Sequence, residues 1–162
     1  MPLIPRKLHS FQEACALREQ LRDAGKRVVL TNGCFDLLHF GHVHSLESAA
    51  KEGDSLWIAL NSDGSIRRLK GNSRPIFSEL NRAYILSALE CVAGLFIFKD
   101  GHLASEILLF KPDIYVKSGD YDLEKLDKRE LHALQSVHAE IKFMPFIEGV
   151  STSFIISSIK AR

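Results

Sequence analysis

Five short apolar runs punctuate this chain, and they restrict it to very few folds. Val28-Val29-Leu30, Leu56-Trp57-Ile58-Ala59-Leu60, Leu95-Phe96-Ile97-Phe98, Ile114-Tyr115-Val116 and Ile141-Lys142-Phe143-Met144 are separated by stretches with helical spacing. Strands apolar on both faces that alternate with helices predict a parallel sheet covered on both sides. Ser10-Phe11-Gln12-Glu13 reads as a capping box, and Phe11, Ala14, Leu17 and Leu21 carry one apolar face as far as Gly25. Further helices are expected over residues 41–51, 78–90, 104–110, 127–137 and 152–159, whereas residues 61–75 read as a basic loop. Right-handed crossovers place every strand-to-helix loop on one edge of such a sheet, and ligands bind there where the strand order reverses.

The fold class is therefore α/β: a Rossmann-like, doubly wound, five-stranded parallel sheet with helices on both faces. A chain of 162 residues is expected to form one domain, with residues 1–26 as an N-terminal helical segment packed on it. Lysine and arginine number 21 against 20 acids, so no net field recruits nucleic acid or an anionic membrane. No apolar run approaches the length of a membrane span, and residues 1–6 lack a signal peptide's apolar core. Cys15, Cys34 and Cys91 offer neither a disulfide framework nor a zinc pattern, which predicts reduced thiols and a cytoplasmic location.

Chemistry concentrates in Thr31-Asn32-Gly33-Cys34-Phe35-Asp36-Leu37-Leu38-His39-Phe40-Gly41-His42, where the first strand hands over to a helix. Such a junction exposes free backbone N–H groups and a positive helix end, which favour phosphate. Gly33 and Gly41 let the backbone approach an anion, and the imidazoles of His39 and His42 can donate to phosphoryl oxygens. Four residues of the form His-x-Gly-His recur by chance; the twelve together, in that setting, suit transfer of a nucleotidyl group. Asp36 either orients a histidine or caps the helix.

Three more polar clusters fall on the same predicted edge. Arg67, Arg68, Lys70 and Arg74 follow the second strand, as a solvated loop or as a phosphate clamp in which Lys70, beside Gly71, is the mobile cation. Lys117-Ser118-Gly119-Asp120-Tyr121 ends the fourth strand; Asp120 can accept from ribose hydroxyls, or Gly119 and Asp120 simply make a tight turn. Ser151, Thr152 and Ser153 open the last helix as caps, as a second phosphate cradle, or as both. Cys34 has no evident base beside it and reads as a small packing residue.

These motifs resemble the cytidylyltransferase-like nucleotidyltransferases. Within them, Thr31 to His39, Asn61-Ser62-Asp63, Leu69-Lys70-Gly71, Arg74-Pro75-Ile76 and the Lys117-x-Gly-Asp-Tyr121 segment are similar to the D-glycero-β-D-manno-heptose 1-phosphate adenylyltransferases, the ADP-heptose synthases of lipopolysaccharide inner-core assembly. The pattern departs at Ser118, where a second glycine is usual, and at Asn81, where an acid is usual. That family is often fused behind a sugar kinase, so the resemblance implies a stand-alone transferase. It implies attack by a sugar 1-phosphate oxygen on the α-phosphorus of ATP, expelling pyrophosphate, with no general base and no covalent intermediate. His39, His42 and Lys70 then serve catalysis, and Asn32, Gly33, Cys34, Phe35, Gly41, Lys117, Gly119, Asp120, Ser151, Thr152 and Ser153 bind the nucleotide. Asn61, Asp63 and Arg74 face the sugar phosphate. Mg²⁺ is expected on the ATP phosphates, with no protein ligand assigned.

The implied partners are ATP and heptose 1-phosphate, without nucleic acid or membrane; the 95–98 strand and the helix before it read either as core or as the face of a homodimer. A cytidylyltransferase acting on glycerol 3-phosphate or a related small phosphate, or another sugar-1-phosphate nucleotidyltransferase, is the alternative. A class I tRNA synthetase fragment shares His-x-Gly-His, but the Lys-Met-Ser-Lys-Ser loop is absent from the sequence. A non-catalytic nucleotide-binding regulator would have lost the histidines or the lysine.

Overall fold

Alternate residues of the same strands feed two separate cores, one on each face of a single sheet. The computed structural model describes residues 5–119, 122–145 and 152–161, with Ser153 and Lys160 described by backbone alone. Its strands are β1 (Val28–Gly33), β2 (Ser55–Asn61), β3 (Gly94–Phe98), β4 (Ile114–Ser118) and β5 (Glu140–Met144). Its helices are α1 (Phe11–Asp23), α2 (Phe40–Ala50), α3 (Asp63–Lys70), α4 (Glu79–Ser87), α5 (Ala104–Phe110), α6 (Lys128–Ser136) and α7 (Thr152–Lys160). The sheet runs β3-β2-β1-β4-β5 with every pairing parallel.

On one face Val28, Leu30, Trp57, Ala59, Phe96 and Tyr115 pack under α1, α5 and α6. On the other, Val29, Leu56, Ile58, Leu60, Leu95 and Val116 pack under α2 and α4. This period-two sorting makes the doubly wound α/β sheet that the apolar runs predict. The order reverses at β1, which has β2 on one side and β4 on the other, so the crevice beyond Gly33 and Ser118 is the ligand edge. Helix α1 carries the expected capping box, with Ser10 and Glu13 bonded reciprocally. It stops before Gly25, whose φ of 70° suits glycine.

Three expectations need correction. Residues 61–75 are not a loop throughout, because α3 occupies Asp63–Lys70. Ser62 caps it by accepting from the Ser65 N–H, Ser65 and Ile66 are buried, and Gly71 (φ 89°) ends it. Its run of cations masks the helix in sequence, yet cations suit the negative C-terminal end. Helix α4 stops at Ser87, three residues before the expected end. Strand β5 is not apolar on both faces: it is the sheet edge, partly exposed, with Glu140 and Lys142 in ion pairs.

Leu95, Phe96 and Phe98 are buried in the cores and offer no dimer face; the apolar residues left exposed nearby are Leu80 and Tyr84 of α4, with Ile76 and Phe77 before it. Among the described residues no helix is long and apolar enough to cross a membrane.

Candidate active site

The switch point opens into a cleft of about 580 Å³, within the usual range for a small-molecule site. Asn32, Gly33, Cys34, Phe35, His42, Asn61, Lys70, Lys117 and Thr152 all line it. Loops that the sequence separates by up to 120 residues therefore meet here, as the parallel topology requires.

The turn after β1 is built around Phe35, a non-glycine residue at φ 45°. This left-handed step folds its ring back over Gly33, where a Cβ would lie 2.9 Å from the Phe35 ring. Any larger residue at position 33 would have to push that ring aside. The same ring sits 5.3 Å from the His42 imidazole, and His39 stacks on His42 with centroids 3.8 Å apart. His39 is the N-cap of α2 by backbone: its carbonyl accepts from the N–H groups of His42 and Val43, while its side chain makes no cap. Neither histidine Nδ1 has a hydrogen-bond partner of normal geometry among the described residues.

Burial lowers the pKa of His39, and it brings His42 down to about 4, helped by neighbouring His39 and Lys70 and opposed by the Leu37 backbone. His42 is therefore neutral at physiological pH and can offer a hydrogen bond rather than a charge. Lys70, the last residue of α3, brings the cation.

Asp36 is neither helix cap nor histidine orienter. Its carboxylate, almost fully buried, accepts from Arg74 Nε and from the N–H groups of Ile76 and Phe77. It thereby ties the histidine turn to the segment following α3. Arg74, read in sequence as a clamp on the sugar phosphate, gives its Nε to this ion pair, while its buried Nη2 has no hydrogen-bond partner of normal geometry among the described residues. Asp63 is likewise held by Arg82 at 2.7 Å, and Asn61 Nδ2 donates to Ser65 Oγ at 3.1 Å. Of the three residues expected on the sugar phosphate, only Asn61 lines the cleft.

At the floor, Lys117 Nζ donates to Asn32 Oδ1 (2.7 Å), as does the Tyr115 hydroxyl (2.8 Å). Burial pushes the Lys117 ammonium below the usual lysine range, and Glu130 chiefly opposes that. Ser118, at the position where the resemblance expects glycine, lines the cleft, and Asn81 gives its N–H to the Ser78 cap. Gly119 (φ 121°) follows β4 at a backbone angle that suits glycine. Asp120, Tyr121, Ser151 and the segment 146–150 lie outside the described residues, as does the Ser153 side chain.

Sequence reasoning missed Arg82 and Glu130, both almost fully buried. Each stands on the inner face of its helix among apolar residues, Arg82 beside Ala83 and Leu86, Glu130 beside Ala133 and Leu134. A charged residue in an apolar stripe was the available signal, since such groups are seldom buried without a partner.

At the switch point of this doubly wound sheet His42 and Lys70 line one cleft, with His39 stacked on His42 but not itself among the lining residues. The cytidylyltransferase-like family model matches residues 30–160, and the chain belongs to that family. It is 46% identical over 159 residues to the bifunctional protein HldE of Syntrophotalea carbinolica, an alignment covering 94% of this chain and 32% of that protein. It is 45% identical over 135 residues to HldE of Geobacter sulfurreducens, covering 83% and 27%. The chain thus spans about a third of the length of these curated relatives. Among solved structures it resembles a lipopolysaccharide core biosynthesis protein from Thermoplasma volcanium, with 30% identity, a TM-score of 0.61, and 76% of this chain and 98% of that one covered. A pantoate-beta-alanine ligase from Francisella tularensis shares the fold alone, at 12% identity and a TM-score of 0.60, covering 94% and 76%.

Proposed function

We propose that the chain transfers the adenylyl group of ATP to D-glycero-β-D-manno-heptose 1-phosphate, giving ADP-heptose and pyrophosphate for lipopolysaccharide core assembly in the cytoplasm. The observation that carries this reading is the meeting of His42 and Lys70 in one cleft at the β1/β4 switch point. The identity with HldE proteins and the name of the Thermoplasma relative support the sugar and the pathway.

The acceptor phosphate is already an anion, so the site has only to align it with the α-phosphorus and offset charge in the transition state. His39 and His42 donate to the transferring phosphate, and Lys70 supplies the cation. Gly33, Cys34, Phe35 and Gly41 let backbone lie against the nucleotide. Asn32, Lys117, Gly119 and Asp120 take the ribose and base end, and Ser151, Thr152 and Ser153 the phosphates. Mg²⁺ enters on the phosphates of ATP, with no protein ligand assigned. The reading needs no nucleic acid or membrane partner, and a homodimer would use the exposed face of α4. The test is pyrophosphate release from ATP with heptose 1-phosphate, against ATP alone; equal rates overturn the proposal.

Two further outcomes follow from the assigned roles. Lys70→Ala should lower kcat by about a hundredfold while the KM for ATP changes by less than about threefold, because the lysine acts on charge that develops during transfer. An unchanged kcat at saturating substrates returns α3 to a solvated surface helix. Cys34→Ser should keep activity within about threefold, since Cys34 Sγ makes only a weak 3.9 Å contact to Asn61 Oδ1. Trapping a nucleotidyl-thiol adduct by mass spectrometry would replace direct displacement by a covalent route.

A further inference from the structure

Arg82 stands near the start of α4 with no part of its side chain exposed. A leucine at this position would continue the stripe formed by Ala83 and Leu86, so packing alone does not call for a guanidinium. Its three nitrogens reach three different segments. Nη1 donates to the Cys34 carbonyl at 2.6 Å, Nη2 to Asp63 Oδ1 at 2.7 Å, and Nε to the Phe77 carbonyl at 3.0 Å. A planar fork can satisfy all three at once, and an ammonium cannot.

Each contact has a consequence at the cleft. In a planar trans peptide the C=O and the following N–H point in opposite directions. Capturing the Cys34 carbonyl therefore turns the Phe35 N–H away from α4, and that N–H donates to no acceptor among the described residues. Capturing Asp63 holds the first residue of α3, whose own N–H is taken by Glu79 Oε2 at 2.8 Å. With its first residue fixed twice to α4, α3 extends about 12 Å and delivers Lys70 to the cleft. The Phe77 contact meets the Asp36 bonds to Ile76 and Phe77 from the other side.

We infer that Arg82 is a positioning residue for the transfer: it sets the register between the turn that carries His39 and His42 and the helix that carries Lys70. This rests on the adenylyl-transfer reading, to which it adds a residue that never touches substrate. Asp63 is its carboxylate partner in that task.

The test is a double-mutant cycle of Arg82→Lys with Lys70→Ala, read as kcat with the thermal midpoint of each variant recorded. If Arg82 acts through the placement of Lys70, Arg82→Lys should lose about thirtyfold in the wild-type background and less than about threefold once Lys70 is gone. Asp63→Asn, which leaves the Cys34 contact in place, should show the same non-additivity with a smaller loss, about fivefold to tenfold. It also carries the cycle alone if Arg82→Lys does not fold. Equal fold-losses in both backgrounds, or a folded Arg82→Lys with activity within threefold of wild type, overturn the inference. Either result, seen with an active wild type, leaves the transfer reading standing. A wild type that releases no pyrophosphate overturns the transfer reading and takes this inference with it.

Discussion

His42→Ala is expected to lower turnover by about a hundredfold to a thousandfold, the loss typical of deleting one donor to developing charge, about 3–4 kcal/mol. The effect should fall on kcat, with ATP still bound, because glycine backbone and the other loops hold the nucleotide. His42→Asn, which keeps a neutral N–H donor, should retain more activity than alanine; that ordering follows from an imidazole that is uncharged at neutral pH. The same shift fixes a sign for stability. With a folded pKa of about 4 against an ordinary histidine value of 6.5, the unfolded chain binds the extra proton between those values. Stability contributed by neutral His42 is complete above about pH 6.5 and is lost as pH falls toward 4. Alanine carries no such term, so the thermal midpoint of His42→Ala should gain on that of wild type between pH 7 and pH 5. Activity of His42→Ala within about fivefold of wild type, with normal ATP binding, removes the residue from catalysis.

What the sequence made legible follows from what each residue does locally. Apolar runs sort onto two sheet faces by period two alone, so the strands and their parallel pairing could be read without knowing any contact, though not their order in the sheet. The histidine turn was legible because Gly33, Phe35, His39 and His42 lie within ten residues and interact with one another. Helix α3 was hidden because its cations outnumber its apolar residues and only Ile66 faces inward as a buried hydrophobe. The pairings Asp36–Arg74 and Asp63–Arg82 span 38 and 19 residues, and nothing in local spacing announces which acid takes which base. Polar residues on a ligand edge look alike in sequence whether they face a substrate or brace the loop that does. Here Arg74 and Asp63 brace, while Lys70 and Lys117 line the cleft.

The expected preference for ATP over CTP, and for a heptose 1-phosphate over glycerol 3-phosphate, is the second large effect. In the rival branch an Arg-Thr pair usually precedes the late Glu-Gly, whereas this sequence has Phe146-Ile147 before Glu148-Gly149. An arginine there gives a bidentate phosphate contact that phenylalanine and isoleucine cannot make. On the proposed reading the acceptor's hydroxyls would meet polar groups that line the cleft, among them Asn61, Ser118 and Asp127. Asp127 is a carboxylate at neutral pH, because its hydrogen bonds from Arg129 hold the carboxyl well below the usual range, and it would share its oxygens between Arg129 and the sugar. A polyhydroxylated sugar can meet such acceptors, and glycerol 3-phosphate leaves most of them unmatched. Sites built to bond hydroxyls reject analogues that lack them by about 10⁴. The measurement is direct competition: ATP and CTP supplied together with each acceptor in turn, and the products identified by mass. ADP-heptose should dominate. If CDP-glycerol dominates instead, the chain acts in the cytidylyl branch, and the cleft's polar lining serves the nucleotide rather than a sugar.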